Sequence, residues 1–400
     1  MDAGAYIHHR LILKSTMVHS ISKMMNNCLG SMTCKTLILP QTLRNSFQSL
    51  HKFTCFTNVP PKSINSICNS TSNKTGFYST ISSSKNFTWD DVIHIGQSQF
   101  DPSDLSGIFD QIRACNRNVE KKIEFVPFII DDHVVGYIHN GFADHLRTFR
   151  DVFLFPHDDS NNSHFGWHVT LHPSLKTPAD RTSVVAGVIN CLGEEVIPGI
   201  RNELFPVTSS FGAHVFFSLE RAAAPYFGIK AYGVHMNGYV EREDQKFLWL
   251  GKRSQAKPTY PGMLDHLVAG GLPHGIPCGE NMTKECEEEA GIPLSISKKV
   301  KPVGAVSYTD IDGYRLKRDV LFCYDLELPE NFVPNNQDGE VESFRLIPVP
   351  HVANLIKTTN FFKRNCTLVI IDFLFRHGYI CPEYVGYLDL LQSLRSGDCS

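Results

Sequence analysis

Gly270-Gly271-Leu272-Pro273-His274-Gly275-Ile276-Pro277-Cys278-Gly279-Glu280-Asn281-Met282-Thr283-Lys284-Glu285-Cys286-Glu287-Glu288-Glu289-Ala290-Gly291-Ile292 joins a glycine- and proline-rich loop to an acidic segment of helical spacing. Pro277 suits the first position of a helix, because its missing N–H has no partner there anyway. Gly291 is placed to end the helix in a left-handed cap. On such a helix Glu285, Glu288 and Glu289 share one face, at i,i+3 and i,i+4. Like charges at that spacing repel, and they crowd the helix C-terminus, where the dipole disfavours anions. Only Lys284 compensates locally. A hard divalent cation such as Mg²⁺ or Mn²⁺ would turn the repulsion into binding. A solvated acidic helix face is the alternative on the glutamates alone.

Outward from this stretch, the pattern reads as α/β. Strands are expected at Tyr232–Val240 and Lys246–Leu250, joined by Glu241-Arg242-Glu243-Asp244, then at Val303–Thr309, Val320–Leu326 and Phe344–Ile347. Two apolar helices, Leu368–Arg376 and Tyr384–Leu394, close the chain. Upstream, helical spacing starts at Phe87 and again after Asp101-Pro102-Ser103-Asp104. Two strands between Phe125 and Ile138 turn at Asp131-Asp132-His133, Val152–Phe155 is a short strand, and a helix runs from Arg181 to Gly193. The stretch Ala222-Ala223-Ala224-Pro225-Tyr226-Phe227-Gly228 punctuates the chain, which divides it into 86–230 and 231–400.

Residues 1–85 are set apart by charge. They hold nine Lys and Arg but one acid, Asp2, whereas the remaining 315 residues hold 29 bases and 40 acids. A basic, acid-poor, Ser-rich segment has the composition of an organelle transit peptide, here of plastid type, so the stroma is the expected destination. The overall charge of −3 and 42% hydrophobic content are those of a globular chain. No folded stretch is strongly basic, which argues against a nucleic-acid binder. No apolar run is long enough to span a membrane. Of twelve cysteines, four lie in the first segment and none forms C-x-x-C, so small core residues are the expected role.

The 270–292 stretch resembles the Nudix box: Gly, five residues, Glu, seven residues, Arg-Glu, an apolar residue, any residue, Glu-Glu, any residue, Gly, apolar. Gly270 takes the opening place, and Lys284-Glu285-Cys286-Glu287-Glu288-Glu289-Ala290-Gly291-Ile292 the closing run. Two positions depart from it. Ile276 stands where the first Glu belongs, and Lys284 replaces Arg, which loses the bidentate fork. Glu280, one turn beyond Ile276, is a substitute outside the family's pattern. Gly96-Gln97-Ser98-Gln99-Phe100, Gly233-Val234-His235-Met236-Asn237-Gly238-Tyr239 and Tyr260-Pro261-Gly262-Met263-Leu264-Asp265 extend the likeness. Through them residues 86–400 resemble the plant chloroplast Nudix hydrolases of the branch related to the thiamine pyrophosphokinase-associated Nudix proteins.

The resemblance implies a mixed sheet sandwiched between helices over 231–400, preceded by a smaller α+β domain. It implies metal-assisted hydrolysis of a diphosphate bond in a nucleoside diphosphate derivative or an oxidised thiamine diphosphate analogue. Glu285, Glu288 and Glu289 would be metal ligands, with a backbone carbonyl near Ala269 or Gly270. The general base would be Glu289, or a carboxylate from Asn336-Gln337-Asp338-Gly339-Glu340-Val341-Glu342, with Glu340 ahead of Glu342. Arg253 and Arg318 are the expected substrate-binding cations, with Lys252, Arg315 and Lys317 beside them. Tyr226, Phe227, Tyr232 and Tyr260 would stack on a ring or fill the core. A binding module disabled by Ile276 is the alternative function. Residues 86–230 carry no P-loop, G-x-G-x-x-G or G-x-S-x-G motif, so they are expected to shape the substrate site or form a homodimer. His164, His168 and His172 would share one face of an extended strand, roughly 13–14 Å apart at successive positions, too far for one metal.

Overall fold

The computed structural model describes residues 87–156 and 166–398, all within one compact unit. The charged segment 1–85 and His164 lie outside the described residues. The first helix, α1 (Trp89–Gly96), opens on a reciprocal cap: Thr88 Oγ1 accepts the Asp91 N–H, and the Asp91 carboxylate accepts the Thr88 N–H. Helix α2 (Ser106–Cys115) follows, then the hairpin β1 (Phe125–Ile130) and β2 (His133–His139), which turns through Asp131 and Asp132, both at positive φ. After α3 (Asn140–Leu146), strands β3 (Phe153–Leu154) and β4 (Val169–Leu171) complete a four-stranded sheet of order β2-β1-β4-β3. Helix α4 (Pro178–Val196) kinks at Gly193, φ 63°, where the sequence ended it. The short hairpin β5 (Leu204–Val207) and β6 (Phe217–Glu220) leads to the second layer. Phe128, Phe142, Phe217 and Phe227 fill the core of this half.

The second half is a seven-stranded mixed sheet. Strands β7 (Lys230–Arg242) and β8 (Gln245–Arg253) form a hairpin; β9 (Leu264–His266) pairs with β8, and β10 (Val268–Gly271) with β7. The box helix α5 (Cys278–Ala290) and the short α6 (Leu294–Ser297) precede β11 (Lys301–Asp312), β12 (Arg315–Glu327) and β13 (Val341–Pro348). The order is β11-β12-β7-β8-β13, with β12 parallel to β7. Helices α7 (Val349–Thr358), α8 (Arg364–Arg376) and α9 (Tyr387–Ser393) close the chain. The box helix lies on one face of the sheet. Met282, Cys286 and Ala290, spaced by four, pack on Val234, Met236 and Leu326. Burying a residue such as Met282 contributes roughly 1.5–3 kcal/mol. Helix α8 covers the opposite face.

Residues 87–115 pack differently from the 86–230 grouping. Helices α1 and α2 present Val92, Ile95, Ile108 and Ile112 to α7 and α8, and share one core with Val352, Leu355 and Ile370. Residues 87–115 are therefore drawn into the second layer, because their apolar stripe is buried there. Among the described residues no helix is long and apolar enough to cross a membrane.

Candidate active site

Strand β10 delivers the backbone of the box and α5 delivers its carboxylates. Pro277 caps α5 from outside at φ −63°, ψ 147°, one place earlier than the first helical turn where it was expected. Gly291 ends the helix at φ 61°, ψ 28°, as expected of a left-handed cap. Asn281 ties helix to strand, donating Nδ2–H to the Gly271 carbonyl at 2.8 Å.

Two box glutamates turn inward and one turns out. Glu289 Oε2 accepts the Ala269 N–H at 2.7 Å. Burial pushes its carboxyl well above the usual range, which that N–H offsets in part, and the charge of Glu285 adds to the rise. Glu285 packs against Gly270 so closely that a Cβ there would lie 2.4 Å from its Cδ. Burial raises Glu285 as well, with Lys284 opposing. Glu288 instead sits on the exposed side and pairs with Lys284 at 2.6 Å.

The loop before β13 completes the acidic cluster. Carboxylate oxygens of Glu289, Asp338 and Glu340 lie within 4.8 Å of one another. Glu340 also pairs with Lys257 at 2.5 Å. Glu342 is directed away, to Lys252 at 3.4 Å. Asp338 was not singled out in the sequence; its i,i+2 spacing from Glu340 on one loop was the available signal. Four carboxylates, those of Glu285, Glu289, Asp338 and Glu340, are hard oxygen donors that suit a divalent cation. Ile276 is half-buried and Glu280 is exposed on the first turn of α5.

A cleft of about 530 Å³ adjoins this cluster, and Ala269, Gly270 and Gly271 form part of its wall. One side comes from residues 198–231, the other from β7, β11, β12 and the start of α8. Arg201, Arg221, Arg315, Lys317, Lys363 and Arg364 line it, against the two acids Asp310 and Asp319. Tyr232, Tyr260, Tyr308 and Phe205 supply aromatic faces. Tyr226 and Phe227 belong to the first core, so their ring-stacking alternative falls away.

Of the cations expected from the sequence, Arg315 and Lys317 line the cleft, whereas Arg253 and Arg318 do not. Arg318 is buried, and its guanidinium bonds the Gly228 carbonyl and Asp398. Strand alternation explains this: Arg315, Lys317 and Asp319 face the cleft, and Arg318 faces the other way with Leu316 and Val320. Arg253 bonds Asp265 at 2.9 Å and the carbonyls of Thr259 and Tyr260. It thereby holds the cleft-lining loop on which Tyr260 adopts φ 52°. His168 and His172 bond separate neighbours, the Gly166 carbonyl and Ser174.

Behind the cleft, buried Asp265 accepts from Arg253 and from Lys363 at 2.8 Å. Burial alone would raise its carboxyl, but Lys363 and Arg253 outweigh this and hold it well below the usual range. Sequence reading gave no sign of this network, because its members come from β8, β9 and the turn before α8.

Residues 107–231 match a domain of unknown function, DUF4743, and residues 231–368 match the NUDIX domain. The chain is 65% identical over 322 residues to "Nudix hydrolase 20, chloroplastic" of Arabidopsis thaliana, covering 80% of this chain and 86% of that protein. It is 60% identical over 325 residues to "Nudix hydrolase 24, chloroplastic" of the same plant, covering 80% and 87%. An uncharacterized protein of Saccharomyces cerevisiae is 41% identical over 212 residues, 49% of this chain and 60% of that one. With the box helix, its inward glutamates and the mixed sheet in place, the chain belongs to the Nudix hydrolase family and is a pyrophosphohydrolase.

Proposed function

We propose that the protein is a plastid hydrolase of a small diphosphate carrying an aromatic group, dependent on Mg²⁺ or Mn²⁺. One observation carries this: a basic, aromatic-lined cleft shares the Gly270 backbone with the acidic cluster. Arg221, Arg315 and Lys363 are paired with Glu203, Asp312 and Asp265, and Asp310 with Arg117, which leaves Arg201, Lys317 and Arg364 against Asp319 and still favours an anionic ligand. The names of the two Arabidopsis relatives, with the basic tail of residues 1–85, support the plastid.

Glu285, Glu289, Asp338 and Glu340 would hold the ion with the Ala269 carbonyl, which faces the same side as the N–H that meets Glu289, and Glu288 would stand at the margin. When bound, such an ion neutralises charge on the diphosphate and polarises the attacking water. Arg315 and Lys317 bind the anionic substrate, in place of the earlier candidate Arg318. Arg253 orients the Thr259–Tyr260 loop rather than touching the substrate. Glu289, whose proton affinity burial raises, takes the proton from the attacking water. Glu340, paired with Lys257, is the second candidate for that proton. The 107–231 segment shapes one wall of the cleft. The finer substrate reading is an oxo or oxy analogue of thiamine diphosphate, cleaved to the monophosphate and phosphate.

Chromatographic detection of the monophosphate product from thiamine diphosphate, its oxo and oxy analogues, ADP-ribose, NADH and 8-oxo-dGTP, with Mg²⁺ or Mn²⁺, tests this. Preferential turnover of the thiamine analogues is the expected result. Preferential turnover of a nucleotide would discard that substrate and keep the hydrolase.

A further inference from the structure

His235 and His266 form a buried pair at the back of the cleft that the chemistry above does not use. His235 Nδ1 lies 2.7 Å from His266 Nε2, and the two residues are 5% and 4% exposed. A contact of that length between imidazole nitrogens requires one to donate and the other to accept. Charging both rings is excluded by their burial and by each other, with Lys363 adding to the repulsion; His266 is pushed down to about 4.

The direction of the bond follows from what surrounds the pair. His266 Nδ1 is buried with no partner. A buried N–H left orphaned is rarer and costlier than an unfilled acceptor, so this nitrogen is bare. Asp265 Oδ1, 3.9 Å from His266 Nε2, favours the proton on that side. His266 Nε2–H therefore donates to His235 Nδ1, and the proton of neutral His235 sits on Nε2. The charged or titratable groups facing this pair are Asp265, Lys363, Arg253, Arg221 and the buried thiol of Cys366.

His235 lines the cleft. A Cβ placed on Gly233 would lie 3.3 Å from His235 Nε2 and 3.1 Å from the Gly270 carbonyl oxygen, so both atoms flank one small space kept open by a glycine. Nε2 has no hydrogen-bond partner among the described residues. We propose that His235 is a substrate-contacting hydrogen-bond donor: its Nε2–H, fixed in that tautomer by His266, meets a phosphoryl oxygen of the diphosphate bound beside Gly270. No proton is transferred; the donor strengthens its bond as charge grows on that oxygen. His266 is a positioning residue. This inference rests on the reading that the cleft takes a diphosphate.

The test uses the full chain labelled with [¹⁵N]histidine, and methylenediphosphonate with Mg²⁺ as probe. Imidazole NMR should find His235 protonated on Nε2 and bare on Nδ1, and saturating probe should move its Nε2–H downfield. His235→Asn, which loses that donor, should lower kcat by about 10–100-fold with KM changing less. His235→Gln, whose amide reaches the Nε2 position, should recover most of the loss. A proton on Nδ1, or equal losses in the two variants with unchanged folding, would overturn the proposal. If calorimetry shows the probe bound while Nε2–H does not move, the donor role fails and the cleft reading stands. If the probe does not bind at all, the cleft reading fails and takes the donor with it. Where the variants do not fold, the wild-type NMR result decides.

Discussion

Gly270→Ala probes the closest approach in the site. Its methyl would lie 2.4 Å from Glu285 Cδ and 2.5 Å from its Cγ and Oε1. Non-bonded carbons rest at about 3.5–4.0 Å, so the carboxylate or the strand must retreat by roughly 1 Å. Gly270 is not among the positive-φ glycines, so alanine brings no backbone penalty and the effect is steric. A misplacement of about 1 Å costs on the order of 10²-fold in rate. Overpacking should lower stability by only about 1–3 kcal/mol. The assay is kcat/KM at several Mg²⁺ concentrations beside urea unfolding of the same samples. A roughly hundredfold loss of kcat/KM with a higher Mg²⁺ requirement is expected. A variant within threefold of wild type, with unchanged Mg²⁺ dependence, would refute the placement of Glu285 against this strand as functional.

Asp265→Asn leaves Arg253 and Lys363 facing a neutral amide in a buried site, and should cost roughly 3–5 kcal/mol at pH 7 in urea unfolding. Because the folded Asp265 carboxyl is depressed, its contribution is fully present above its unfolded pKa and is lost as pH falls through the folded value. Below about pH 4 the wild-type advantage over Asp265→Asn should therefore shrink, whereas a constant difference would contradict the network. Arg315→Ala and Lys317→Ala should each raise KM about tenfold with smaller changes in kcat, as expected for loss of about 1.4 kcal/mol of binding. Arg318→Ala should instead lower the unfolding midpoint and spare KM; the reverse ranking would return Arg318 to the substrate.

The box was legible because its spacing is local. An apolar residue every four places, a terminal glycine and glutamates at i,i+3 and i,i+4 fix a helix and a face within one turn of the chain. What that spacing does not fix is which carboxylate points where: Glu288 shares a helix face with Glu285 and Glu289, yet Lys284 draws it outward. Asp338 joins the cluster through a loop, and no period marks that approach. Arg318 was legible in principle, since alternation along β12 places it with Leu316 and Val320. The packing of α1 and α2 on α7 and α8 is a contact between segments about 250 residues apart, where an amphipathic stripe predicts burial but not the partner. The His235–His266 pair required the register of β7 beside β10 and the adjacent β9.

The measurement closest to the central claim is turnover of one diphosphate substrate by wild type and Glu289→Gln, with Mg²⁺ and with chelator. Glutamine keeps an oxygen for the Ala269 N–H, so the local fold is preserved while the ligand charge and the base are removed. The account predicts turnover abolished by chelator, and a loss of about 10²-fold or more in the folded variant. Wild-type rates from Glu289→Gln, or undiminished wild-type turnover in chelator, would contradict it.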